Sequence, residues 1–182
     1  MPSSGVPFKY ELLEQSVTNY FSLDSRSGVI RSEARLDHET HPQVVLNVQA
    51  EDQNQGQVYF VQAIISISDV NDNAPEFPFA SMSTTVPEDF PTSGIFYTTL
   101  ATDADQGYNG RVKYKLAEHS DKFSIDERSG EIRLVKPLDY ESENHHRIVI
   151  TAEDSGTNQI FEKKKSIFTL TSFLRLKTEN GG

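Results

Sequence analysis

With 182 residues and a formal net charge of −10, the chain has room for one or two domains and is too acidic to favour nucleic acid as a partner. It contains no Cys and no Trp, and only 36% of its residues are hydrophobic while 24% are charged. Thiolate chemistry and zinc–thiolate sites are thereby excluded, and thin β-sandwiches fit better than a deep-cored enzyme. Met1-Pro2-Ser3-Ser4-Gly5 has none of the features of a signal peptide, and no run of about 18 apolar residues could cross a bilayer, so the chain reads as a fragment of a longer protein.

The first strand expected is Lys9-Tyr10-Glu11-Leu12, succeeded by Phe21-Ser22-Leu23-Asp24 and the tight turn at Ser27-Gly28, where a positive φ calls for glycine. Val44, Leu46 and Val48 alternate with more polar neighbours, the period of a half-buried strand. Then comes Asp69-Val70-Asn71-Asp72-Asn73-Ala74-Pro75-Glu76-Phe77, acidic and rich in side-chain oxygen. Two carboxylates and two carboxamides within five residues either stay solvated or converge on a hard cation, and calcium takes about six to eight oxygens of these kinds. Pro75 removes a backbone donor and holds Ala74 extended, giving a stiff exit into a new domain.

Beyond this linker, Ser81–Val86 and Ile95–Thr102 read as strands, and Gly110–Ala117 as a third. Phe123-Ser124-Ile125-Asp126 and Ser129-Gly130-Glu131-Ile132-Arg133 then repeat Phe21-Ser22-Leu23-Asp24 and Ser27-Gly28-Val29-Ile30-Arg31 at an offset of 102 residues. The same offset maps Leu36-Asp37-His38-Glu39 onto Leu138-Asp139-Tyr140-Glu141 and Ala50-Glu51-Asp52 onto Ala152-Glu153-Asp154. A period of that length signals tandem copies of one domain.

The copies differ at both ends. Lys9-Tyr10-Glu11-Leu12 aligns with Lys113-Tyr114-Lys115-Leu116 at an offset of 104, so about two strands are missing from the front of the first copy. Inward residues there, Phe21, Leu46 and Val48, are expected to be partly uncovered. His145-His146 reads as a solvated pair in a loop before the Ile148 strand, and Lys163-Lys164-Lys165 as a hairpin facing water. Ser166–Phe173 completes the second copy, with Lys177–Gly182 as a frayed tail and no second linker. The resulting division is 1–73, including the linker 69–73, then 74–172, then a tail 173–182.

Helical stretches with caps are absent, and many short strands punctuated by Gly, Pro, Asn and Asp predict an all-β fold of tandem Greek-key β-sandwiches, the first truncated at its N-terminus. Asp103-Ala104-Asp105-Gln106-Gly107-Tyr108 begins like an EF-hand loop, yet Tyr108 and Tyr114 stand where that motif needs Gly and Glu. Paired acids also serve glycoside hydrolysis, but nothing else suggests a sugar cleft. Nucleophile motifs and phosphate loops are lacking, and no enzymatic activity is expected.

The nonapeptide at 69–77 resembles the linker between successive cadherin repeats, and the resemblance extends from about Val6 to about Thr171. It implies calcium ions at the junction between repeats. Asp37, Glu39, Asp69, the Val70 carbonyl, Asp72 and Asp105 match the ligands of two closely spaced ions. Asn71, the Asn73 carbonyl, Asp103, Asp105, the Asn109 carbonyl and Asp154 match those of a third. Seven carboxylates drawn to one place would be intolerable without cations, and three calcium ions nearly neutralise them. Glu88, Asp139 and Glu141, like Asp52, match only halves of further junctions.

What the resemblance implies is a piece of an extracellular, calcium-dependent adhesion protein, anchored in the plasma membrane by other parts of its parent, whose partner is another cadherin ectodomain, homophilic or heterophilic. Calcium would stiffen the junction. The reading from a different class makes the sandwiches a non-adhesive spacer or a ligand-binding module of a larger cell-surface receptor.

Overall fold

The computed structural model describes residues 7–13 and 18–156, and the backbone of 165–175. The chain forms two compact units, residues 1–69 and 70–182. Lys163 and Lys164 and the tail from 177 onward lie outside the described residues.

Unit 1 contains β1 (Phe8–Leu12), a 3-10 turn (Thr18–Tyr20), β2 (Phe21–Leu23), β3 (Ile30–Ser32), β4 (Gln43–Asp52) and β5 (Val58–Ser66). β1, β4 and β5 make one antiparallel sheet in that order, and β2 pairs with β3. The alternation read at Val44, Leu46 and Val48 is the pleat of β4, with all three side chains turned inward. Phe21, Val44 and Leu46 form the buried cluster, flanked by Leu12, Tyr20, Ile30, Leu36, Ala63 and Ile65. The expectation that Phe21, Leu46 and Val48 stand partly uncovered is corrected, because they are 7%, 0% and 6% exposed. The uncovered apolar surface lies instead on β5, at Val58, Tyr59, Phe60, Val61 and Ile64.

Unit 2 contains β6 (Ser81–Pro87), β7 (Ile95–Thr98), β8 (Val112–Leu116), β9 (Phe123–Ile125), β10 (Glu131–Leu134), β11 (His145–Asp154) and β12 (Lys165–Arg175). One sheet runs β6-β12-β11-β8 and the other β7-β10-β9. The chain crosses between them after β6, β7, β8 and β10, as a Greek key requires. Val86, Tyr114, Ile148, Ile150 and Ala152 from the first sheet meet Phe123, Ile132 and Leu134 from the second in a single buried cluster. The all-β tandem-sandwich expectation is borne out.

Repeat equivalence holds in local geometry. Gly28 and Gly130 both have a φ near +70°. In each of these turns an aspartate, Asp24 or Asp126, accepts bonds from the two backbone N–H groups ahead of the glycine. β1 and β8 share the pairing position beside the long strand, but among the described residues unit 1 has no counterpart of β6 or β7. The histidine pair is a second correction. His145 and His146 begin β11 rather than a loop, and the pleat that buries Ile148 and Ile150 also turns His146 inward, leaving it 5% exposed against Phe123.

Candidate metal centre

Three segments of unit 2 converge: residues 71–76 at its entrance, the 101–111 loop, and the end of β11. The first two are tied by an isolated antiparallel bridge, in which Glu76 N–H donates to Thr102 O at 2.7 Å and Thr102 N–H to Glu76 O at 3.0 Å. Tyr114 on β8 steadies the loop from below. Its buried hydroxyl accepts from Ala101 N–H at 2.8 Å, two residues before Asp103. At the far side, Ser155 Oγ donates to Arg111 O at 2.8 Å, which fixes the end of β11 to the end of the loop.

Within this frame the oxygen-bearing side chains are held by short contacts. Asn71, 8% exposed, donates through Nδ2 to Asp154 Oδ1 at 2.8 Å, and the same oxygen accepts from Gly156 N–H at 2.9 Å. Asn73 donates to Asp105 twice over, from Nδ2 at 2.7 Å and from its backbone N–H at 3.2 Å. Asp105 N–H in turn donates to Asp103 Oδ1 at 3.0 Å, and Asp72 Oδ1 accepts from Asn73 Nδ2 at 3.2 Å. The structure thus links Asn71 to Asp154, and Asn73 to Asp72, Asp105 and through it Asp103. Asn109 joins them at the same place, with its side-chain Oδ1 beside Gly156 and Asn71.

Two glycines make the packing possible: Gly110, which the sequence already marks as letting the loop fold its carbonyls inward, and Gly156, which it does not single out. A Cβ on Gly156 would sit 2.1 Å from Asn71 Nδ2 and 2.9 Å from Asn109 Oδ1, and one on Gly110 would sit 2.0 Å from Asp105 O. The Ser155-Gly156 pair directly after Asp154 was the available signal.

Electrostatically the cluster is one-sided. Asp105 and Asp154 are 7% and 1% exposed, and among the described residues neither forms an ion pair. Asp154 Oδ2 is buried and has no hydrogen-bond partner among the described residues. A buried carboxylate with no counter-charge costs several kcal/mol, so this donor set suits a hard cation. Calcium fits it, because the donors gathered here are carboxylate and carboxamide oxygens and Asp154 Oδ2 has no hydrogen-bond partner among the described residues.

The remaining acidic residues lie in both units. In unit 1, Asp37 Oδ2 accepts from Thr40 Oγ1 at 2.6 Å and its Oδ1 from Glu39 N–H at 3.1 Å. The Thr40 hydroxyl is the main cause holding the Asp37 carboxyl below the usual range. Glu39 and Asp69 are half-buried in the same unit, while Val70 is an exposed residue at the start of unit 2. Asp139 repeats the Asp37 arrangement with Ser142, whose hydroxyl lowers its carboxyl in the same way. Glu88, Asp139 and Glu141 bring carboxylate oxygens within 4.8 Å of one another. Asp52 is 5% exposed and accepts at Oδ1 from the N–H groups of Asn54 and Gln55.

Known proteins match the chain along the same division. The cadherin domain matches residues 6–68 and again 82–171. Protein dachsous of Drosophila melanogaster is 41% identical over 153 residues, covering 82% of this chain and 4% of its own length. Human protocadherin Fat 1 is 33% identical over 143 residues, covering 76% of this chain and 3% of its own. The solved structure of mouse cadherin-23 EC22-24 superposes with a TM-score of 0.79 at 25% identity, over 96% of this chain and 56% of that one. The chain therefore spans a few per cent of the length of these curated relatives, and by two domain matches and their sequence identity it belongs to the cadherin family, a family of adhesion proteins rather than enzymes.

Proposed function

We propose that this chain is a calcium-binding part of a cell-surface cadherin ectodomain, extracellular and engaged in calcium-dependent adhesion with another cadherin ectodomain. Asn71, Asp103, Asp105 and Asp154, with the carbonyls of Asn73 and Asn109, would hold one calcium ion. Asp37, Glu39, Asp69, the Val70 carbonyl and Asp72 are proposed as further ligands, with Asp105 shared. Calcium would supply the positive charge that these acids lack and hold the linker rigid.

The observation that carries this reading is Asp154: a carboxylate 1% exposed, with one oxygen engaged by the linker amide of Asn71 and the other without a partner among the described residues. A structural aspartate has both oxygens satisfied, whereas a ligand keeps one for its metal. Calcium titration combined with thermal unfolding tests it. Binding to the folded state alone stabilises by about 2.7 kcal/mol at one hundred times Kd, so the unit 2 transition should rise with calcium and not with magnesium. Asp154→Asn keeps the acceptor for Asn71 and removes the charge, and should abolish most of the rise. A wild-type transition that ignores calcium would end this proposal.

A further inference from the structure

The loop that carries Asp103 and Asp105 ends in Asn109-Gly110, one of two Asn-Gly dipeptides in the chain; the other is Asn180-Gly181. In such a pair the backbone nitrogen most readily attacks the side-chain amide before it, because glycine has no side chain to bar the approach. Packing keeps the glycine in place here, since a Cβ on Gly110 would sit 2.0 Å from Asp105 O. A chemically labile dipeptide is thereby built into the cluster.

Both reacting groups have places in the folded loop. Gly110 N–H leans on Gln106 O at 3.5 Å, a long bond that holds the nitrogen only lightly. Asn109 is half-buried, and its Oδ1 lies 2.9 Å from where a Cβ on Gly156 would be, beside Asn71. Ring closure carries Asn109 Cγ onto Gly110 N, so Oδ1 must leave that seat and the reaction runs through an opened loop. Gln106, Gly107 and Tyr108 are exposed, which lets the opening stay local.

We propose that Asn109 is a deamidation site gated by the cation: it converts when the cluster lacks calcium, and the product holds calcium poorly. This rests on calcium being the cation of the cluster. In mildly alkaline water the Gly110 nitrogen gives up its proton and attacks Asn109 Cγ. The N–Cγ bond forms, the Cγ–Nδ2 bond breaks, and Nδ2 takes up a proton and leaves as ammonia. Water then opens the cyclic imide, at Cγ to give aspartate or at the backbone carbonyl carbon to give isoaspartate, which hydrolysis favours. In isoaspartate the chain runs on through Cβ and Cγ, one atom longer directly before Gly110, and the former Asn109 carbonyl becomes a free carboxylate. Gly110 is packed too closely on Asp105 O to carry a Cβ, so the added atom displaces the loop and with it the Asp105 ligand.

The test is ageing of the whole chain in mildly alkaline buffer at body temperature, in excess calcium or in chelator, until Asn180-Gly181 has largely converted. Peptide mass mapping separates Asn109 from its aspartate and isoaspartate forms. Asn180-Gly181 lies outside the proposed ligand set and serves as the internal clock, with the same rate expected in both buffers. Asn109 should convert measurably in chelator. If the open loop binds no calcium, the reaction slows by the factor by which calcium favours the closed one, about a hundredfold at one hundred times Kd. Chain aged in chelator and returned to calcium should lose the calcium-induced rise of the unit 2 transition in proportion to its isoaspartate at 109. Asn109→Gln closes a larger ring too slowly to react, and should keep through ageing whatever rise it begins with. An Asn109 that stays an amide in chelator, or converts equally fast in both buffers in a chain that responds to calcium, would overturn the proposal. So would a converted chain whose calcium rise is undiminished. A fresh chain whose unfolding ignores calcium would end the calcium reading, and the proposal with it.

Discussion

Asp52 and Asp154 occupy the same position in the two repeats, yet their carboxylates do different things. Both accept at Oδ1 from the N–H group two residues ahead, but Asp154 Oδ1 accepts in addition from Asn71, 83 residues away. Gly156 permits that contact. We expect Gly156→Ala to push Asn71 off Asp154, to destabilise unit 2 by about 1–3 kcal/mol and to blunt its response to calcium. Thermal unfolding with and without calcium would measure both effects, and an unchanged calcium shift would remove Gly156 from the site. His146 supports a separate prediction. Burial against Phe123 lowers its pKa, and the nearby Glu143 carboxylate only partly offsets this. The unfolded chain takes up the proton near its ordinary value of about 6.5, while the folded one does so only lower. Stability of unit 2 should therefore fall as pH drops from about 6.5 toward the depressed folded pKa. His146→Leu should flatten that part of the pH profile, leaving the losses below about pH 4 that come from protonation of Asp121, Asp126 and Glu143.

At the scale of strands and loops, hydrogen exchange distinguishes the two sides of β5. The amides of Tyr59, Val61, Ala63 and Ile65 are held by β4 and should exchange slowly. Those of Phe60, Gln62 and Ser66 point away from β4 and pair with no strand among the described residues, and should exchange faster. Uniform protection along the strand would mean that another segment covers it. β5 also marks where the sequence stops being informative. The long strands were legible because Val44, Leu46, Val48, Ile148 and Ile150 keep a period of two, and the repeat because three blocks share one offset. The donors Asn71, Asp103, Asp105 and Asp154 were legible as oxygen chemistry. By contrast, Val58–Ser66 is apolar on both faces, and no local pattern says which face packs inward. Gly156 carries no side chain to announce its place against Asn71, and His146 is polar in name but faces the core through the pleat.

Over the whole chain, the two units differ in what holds them. Among the described residues, ten buried residues form the unit 2 cluster and three form that of unit 1. Two calorimetric transitions are expected, unit 1 first, and the later one should be raised most by calcium. A single transition would show that the units unfold together. The bond from Ala101 N–H to Tyr114 Oη has a use outside stability. The chain has no Trp, so its near-ultraviolet signal belongs to seven tyrosines and the weaker phenylalanines. Tyr114 is bonded to Ala101, two residues before Asp103, and the Arg111 guanidinium lies over the Tyr108 ring in the same loop, 5.5 Å from the ring centre. The protein thus has its own optical gauge at the cluster: tyrosine fluorescence and circular dichroism should track cation uptake without a label, and Tyr114→Phe should remove part of that signal.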